Sequence, residues 1–200
     1  MVLEIRLYGD PVLREQGKPV TEFDDKLAKL VEDIKETITT EDAAALAAQQ
    51  IGEAIMLTVI DFSYMLERNY PIDFDYKYDG KEVPLGLLMP LTVINPKIEY
   101  SSEETDLMEE GCMSFPLGVR PSVRRSKEVE ISFQDVQGGQ HRLWCNGILA
   151  RCVQHEIDHL NGILFIDHAS TQDLRRFESK LKKIKRHTRD LMKQRAKGKK

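Results

Sequence analysis

His155-Glu156-Ile157-Asp158-His159 sets two imidazoles four residues apart. On an α-helix that spacing puts both on one face, where they can grip a single divalent metal, with the carboxylate of Glu156 beside it. The chemistry served is hydrolysis. A bound metal lowers the pKa of a coordinated water toward neutrality, and an adjacent carboxylate takes the proton and hands it to a leaving amine. The bland alternative is a solvated helix that happens to carry two histidines and a glutamate. Against it, Ile148 and Cys152 stand seven and three residues before His155, so the histidines extend an apolar stripe that points inward. Buried imidazoles and carboxylates without partners are costly, and a metal relieves that cost.

A catalytic metal of this kind takes a third protein ligand and keeps a fourth position open. Cys112, in Glu110-Gly111-Cys112-Met113-Ser114, is one candidate, although a cysteine in such a segment is more often a small buried hydrophobe. Cys152 is the rival, but its place on the histidine helix suits packing beneath the site better than ligation. An H-E-x-x-H endopeptidase is disfavoured, because such enzymes usually take a third His or Glu downstream. With Cys145 the cysteines number three, which excludes a full disulfide framework and fits a reducing compartment. The N-terminal segment has no basic and apolar signal pattern, so a cytoplasmic protein is expected.

Elements must hold these residues in place. Leu27, Leu30, Val31, Ile34 and Ile38 recur at helical spacing after Asp24, predicting an N-terminal helix over 24–39. Ala54 to Ile60 and Leu91 to Ile94 read as strands. Lys127 to Gln134 alternates and returns through a Gln137-Gly138-Gly139 turn along His141 to Cys145 as a hairpin. Asn146 and Gly162 bracket the histidine helix as N-cap and C′ glycine. Phe62 to Leu88 lacks periodicity and reads as a long surface loop or insertion. Leu174, Phe177, Leu181, Ile184 and Leu191 mark one packed face of a long C-terminal helix. The fold class is α+β, with short, largely antiparallel strands around a central metal-binding helix.

Three segments, Ala45-Leu46-Ala47-Ala48-Gln49-Gln50-Ile51-Gly52, Glu110 to Ser114, and Gln154 to Leu160, resemble in order the three signature motifs of the peptide deformylase family. Gly9 to Arg14, Lys18 to Val20 and Asn161 to Asp167 are similar to it as well. The resemblance implies that Cys112, His155 and His159 hold one divalent metal, natively Fe(II), with Zn or Ni as replacements. It implies Glu156 as general base, and Gln50 with the backbone N–H of Met113 as donors to the formyl oxygen. Ala44, Ala45 and Glu110 are the implied substrate contacts, and N-formylmethionyl nascent peptides the substrate. Two departures stand out: the family motif reads G-x-G-Φ-A-A-x-Q, and Ala43 and Ala45 replace both glycines. They leave a second reading open, a metal-binding relative with weak or no turnover. Arg120 and Arg125 fall where the family carries arginines, with a surface charge paired to Glu as the plain reading of Arg120.

Length and charge set the outer bounds. Two hundred residues, 41% hydrophobic and 31% charged, suit one globular domain and no membrane span. Residues 171–200 carry 13 Lys+Arg against 3 Asp+Glu, net +10, and residues 1–170 carry −14. The chain thus divides into a catalytic part, 1–170, and a basic extension, 171–200. A solvated helix end explains such a tail, and so does a polyanionic partner. Bacterial members of the family dock a C-terminal helix near the ribosomal exit tunnel, which makes rRNA the implied partner.

Overall fold

The computed structural model describes residues 1–198. A six-stranded antiparallel sheet runs in the order β1 (Ala45–Ala47), β2 (Leu57–Ile60), β4 (Leu91–Ser101), β7 (Glu128–Gln134), β8 (Gln140–Asn146) and β3 (Tyr76–Tyr78). A second sheet pairs β5 (Thr105–Glu109) with β6 (Ser122–Ser126). Every residue of β2 is buried. Its alternation sends Leu57 and Val59 toward helix α1 (Asp25–Thr40), and Thr58 and Ile60 toward helix α4 (Gly147–Leu160) on the opposite face. The Asp24 side chain accepts the N–H groups of Lys26 and Leu27, a cap worth about 1 kcal/mol.

Helix α4 carries the H-E-x-x-H residues and is held from both ends. Leu149, Val153 and Ile157 pack on Ile131, Phe133 and Leu143 of the β7–β8 hairpin. Its C-terminus closes when Ile163 N–H donates to the Asp158 carbonyl, with Gly162 at φ +70°. A Cβ on Gly162 would lie 2.5 Å from the Arg14 carbonyl oxygen, so this position requires glycine. The N-terminus departs from expectation. Asn146 does not cap α4; its side chain exchanges hydrogen bonds with Asp75, accepting the N–H at 2.6 Å and donating to the carboxylate at 3.1 Å.

The strand from Leu91 runs on to Ser101, past a register shift between Ile94 and Lys97. Segment 62–88 is not a surface loop. It forms helix α2 (Ser63–Glu67), strand β3 and helix α3 (Leu85–Leu88), and buries Phe62, Met65, Phe74 and Leu85 in the sheet–α4 core. Its aromatic side chains gave no period because the three elements are each too short to repeat.

The C-terminal stripe forms two helices rather than one, α5 (Thr171–Arg175) and α6 (Glu178–Gly198), with Lys199 and Lys200 outside the described residues. Phe177 and Ile184 are buried with Leu13, Phe115 and Phe165. Thr188 Oγ1 donates to the Tyr8 carbonyl at 2.9 Å, and Asp173 accepts Ser122 N–H at 2.6 Å. The boundary at 170 is therefore one of charge composition, and removal of 171–200 would strip Phe177 and Ile184 from the cluster of Leu13, Phe115 and Phe165.

Candidate metal centre and catalytic cavity

The Cys112 thiol and the His155 and His159 imidazoles bring their ligand atoms within 4.8 Å of one another. Cys112 Sγ lies 3.3 Å from His159 Nε2, close to one edge of a tetrahedron built on metal–ligand bonds of roughly 2.0–2.3 Å. One thiolate and two imidazoles suit a borderline-soft divalent metal. In the metal-free protein burial holds His159 well below its ordinary pKa, whereas Cys112 and Glu110 outweigh burial at His155 and push it up to about 10, so a metal binding there displaces a proton. The residues thus fit a catalytic metal. Cys152 is absent from the cluster, and burial followed by the nearby Glu156 raises its thiol well above the usual range.

Glu110 determines how His155 faces this cluster. Its Oε2 takes His155 Nδ1 at 3.0 Å, so the proton sits on Nδ1 and Nε2 is left for the ligand site. The carboxylate is fixed by Arg125 at 2.9 and 3.0 Å and by Arg151 at 2.7 Å, all three side chains being nearly fully buried. Burial would raise the Glu110 pKa, but His155 and Arg125 outweigh it and hold it well below the carboxylate range. Arg125 also pairs with Asp158. Breaking one partner of such a buried network costs about 3–5 kcal/mol. Glu110 lines the cavity, as expected of a substrate contact, but both of its carboxylate oxygens are taken by protein partners.

Glu156 is 3% exposed and accepts Thr58 Oγ1 at 3.0 Å. Burial pushes its pKa up to about 7, with Thr58 and His155 acting in the other direction. That value suits a group that exchanges protons near neutrality. Gln50, 2% exposed, is held in one orientation: Oε1 accepts Ala47 N–H at 2.9 Å, so Nε2 must face Cys112 Sγ at 3.4 Å and Ser114 Oγ at 3.3 Å. Met113 lines the same cavity, of about 560 Å³, and its N–H takes part in no hydrogen bond among the described residues. One donor from a buried carboxamide and one from the backbone thus border the ligand cluster.

Ala43, Ala44 and Ala45 line the same cavity as Cys112 and Met113. Neither Ala43 nor Ala45 has a positive φ, so the alanines impose no backbone strain. Ala45 pairs with Ile60 in the sheet. Ala43→Gly combined with Ala45→Gly is accordingly expected to leave kcat/KM no higher. It should lower the melting temperature by several degrees, at about 0.5–1 kcal/mol per residue. A thermal melt and a rate measurement on the double variant check both. Arg120 is exposed at the cavity rim, beside Gly111, and forms no ion pair among the described residues, so its reading as a paired surface charge does not hold.

Two contributors escaped the sequence reading. Thr58 is the polar residue in Leu57-Thr58-Val59-Ile60, an interruption that marks a buried partner. Arg151 precedes His155 by four residues on the same helical face, a spacing that could have placed it beside Glu110.

Comparison with known proteins adds an independent line. The polypeptide deformylase family model matches residues 2–175. A peptide deformylase of Opitutus terrae is 42% identical over 191 residues, covering 94% of this chain and 96% of that protein. The crystal structure of a Legionella pneumophila peptide deformylase superposes with a TM-score of 0.76 at 34% identity, over 93% of this chain and 96% of that one. The Thermotoga maritima peptide deformylase gives 0.69 at 37% identity, over 85% and 99%.

Proposed function

Because this chain belongs to the polypeptide deformylase family, we propose that it is a metal-dependent hydrolase that removes the formyl group from N-formylmethionyl peptides. The observation that carries the reading is the Cys112–His155–His159 cluster, with Cys112, His155 and Glu156 lining one cavity. Cys112, His155 and His159 would hold the metal, Fe(II) in its native state with Zn or Ni as substitutes. Bound there, it supplies a water acidified toward neutrality.

The remaining roles belong to side chains. Gln50 Nε2 and Met113 N–H donate to the formyl oxygen as negative charge develops on it, each worth roughly 3–4 kcal/mol in the transition state. Glu156 accepts the proton of the attacking water and delivers it to the departing amine, with Thr58 steadying the carboxylate. Ala44 and Ala45, in the cavity lining, lie where an extended peptide could add alongside β1. Release of formate from a formyl-Met peptide, with an acetyl-Met peptide as comparison, tests the assignment. Formate from the first substrate alone supports it, and no formate from either refutes it.

The tail supports a finer proposal. Lys183, Arg186 and Arg189 are exposed on α6 and form no ion pair among the described residues. They suit rRNA phosphates, and ribosome docking would place the enzyme in the cytoplasm where its substrate emerges. No helix among the described residues is long and apolar enough to cross a membrane. Replacing Lys183, Arg186 and Arg189 with Glu is predicted to abolish low-salt cosedimentation with ribosomes while peptide turnover in solution persists. Equal sedimentation of both proteins would restrict the tail to packing. Charge reversal is the cleaner test, since truncation would expose the Phe177 cluster.

A further inference from the structure

The cavity's apolar end is finished by a residue from segment 62–88. Ile148 and Cys152 carry the wall along α4 away from His155. At 1.5 Å per residue, Cys152 stands about 4.5 Å from His155 along the helix axis, the reach of an unbranched side chain. Tyr64, from α2, lines the same cavity and is half-buried, packed like Ile148 and Cys152 against the sheet–α4 core. Its ring stacks on Phe62 at 5.9 Å between centroids, and the Arg68 guanidinium lies over it at 5.8 Å. Arg68 in turn pairs with Asp42, the residue directly before the Ala43–Ala45 wall. Phe62 and Arg68 thus both lie against the Tyr64 ring, and the Arg68–Asp42 pair ties α2 to the segment leading into Ala43–Ala45.

We infer that Tyr64 is a specificity-determining residue, closing the compartment that receives the first side chain of the substrate and setting its length and width. The inference rests on the deformylase reading above. A ring in this place meets the tip of a methionine-sized chain and excludes a broad aromatic one. Tyr64 belongs neither to the metal cluster nor to the hydrogen bonds of Gln50, so its removal changes which substrates fit and leaves the bond-breaking groups in place.

The experiment compares kcat/KM for formyl-Met and formyl-Phe peptides in the metal-loaded wild type, Tyr64→Ala, Tyr64→Trp and Leu66→Ala. Leu66, on the same short helix but exposed and outside the cavity lining, controls for loosening of α2. Tyr64→Ala should move the Phe-to-Met ratio upward by about tenfold or more, mainly through KM, at unchanged metal content. Tyr64→Trp should lower turnover of formyl-Met relative to formyl-Ala, and Leu66→Ala should keep the wild-type ratio. If the Tyr64 variants scale all substrates equally, or Leu66→Ala shifts the ratio as much as Tyr64→Ala, the assignment is overturned. A wild type that hydrolyses no formyl peptide fails the deformylase reading itself, whereas an active wild type with an unmoved ratio fails Tyr64 alone.

Discussion

Cys112→Ser leaves the protein folded but without tight metal binding and without turnover. Serine is nearly isosteric with cysteine, and Cys112 is only half-buried, so the packing around Phe115 and Leu13 survives the change. The donor does not survive it. A thiolate is a soft anionic ligand, while a serine hydroxyl stays protonated near neutrality and binds weakly. Loss of an outer partner of a metal ligand typically costs about 10–100-fold in affinity, and loss of the ligand should exceed that. Cys152→Ser supplies the contrast: its thiol lies outside the cluster, so that variant should keep stoichiometric metal. Elemental analysis of both purified variants, with a thermal melt to establish folding, decides the point. Full metal in Cys112→Ser would remove Cys112 from the centre.

The second large effect is expected at Glu156. Glu156→Gln preserves size, and its amide can still meet Thr58, but it cannot accept a proton. Turnover should fall by roughly two to four orders of magnitude with metal content intact. The buried environment of Glu156 in the wild type sharpens the test. Burial raises Glu156 to about 7 in the metal-free protein, so the uncharged form prevails below that pH and the base is lost there. A bound cation favours the carboxylate and moves this limb downward, so the acid side of the kcat/KM profile should lie below 7 in the loaded enzyme. In Glu156→Gln the limb should vanish along with the rate. A variant of undiminished turnover would move the base role elsewhere, and Asp158 is a poor candidate because Arg125 and His168 already engage its carboxylate.

What could be read before folding was whatever depends on local period. The i,i+4 histidines, the apolar stripe through Ile148 and Cys152, the α1 repeat and the β7–β8 alternation each express one element's geometry, and the structure realises all of them. The third ligand was different. Spacing alone left Cys112 and Cys152 both open, and motif resemblance favoured Cys112, because the β5–β6 segment reaches α4 only in three dimensions. Glu110 shows the same limit. Its placement by Arg125 and Arg151 spans 15 and 41 residues of sequence, and no periodicity records such a network. Segment 62–88 was misread as loop since α2, β3 and α3 contribute only three to five residues each, too few to show a period, while their burial comes from long-range contact with α4.

The most direct measurement is an anaerobic titration of metal-stripped protein with Fe(II), following formate release from a formyl-Met peptide at each addition. Exclusion of oxygen protects a thiolate ligand from oxidation. Turnover should be absent at the start, rise in proportion to added metal and reach its plateau at one equivalent per chain. Turnover that persists in the stripped protein, or fails to appear after a full equivalent has bound, would contradict a single catalytic metal at Cys112, His155 and His159.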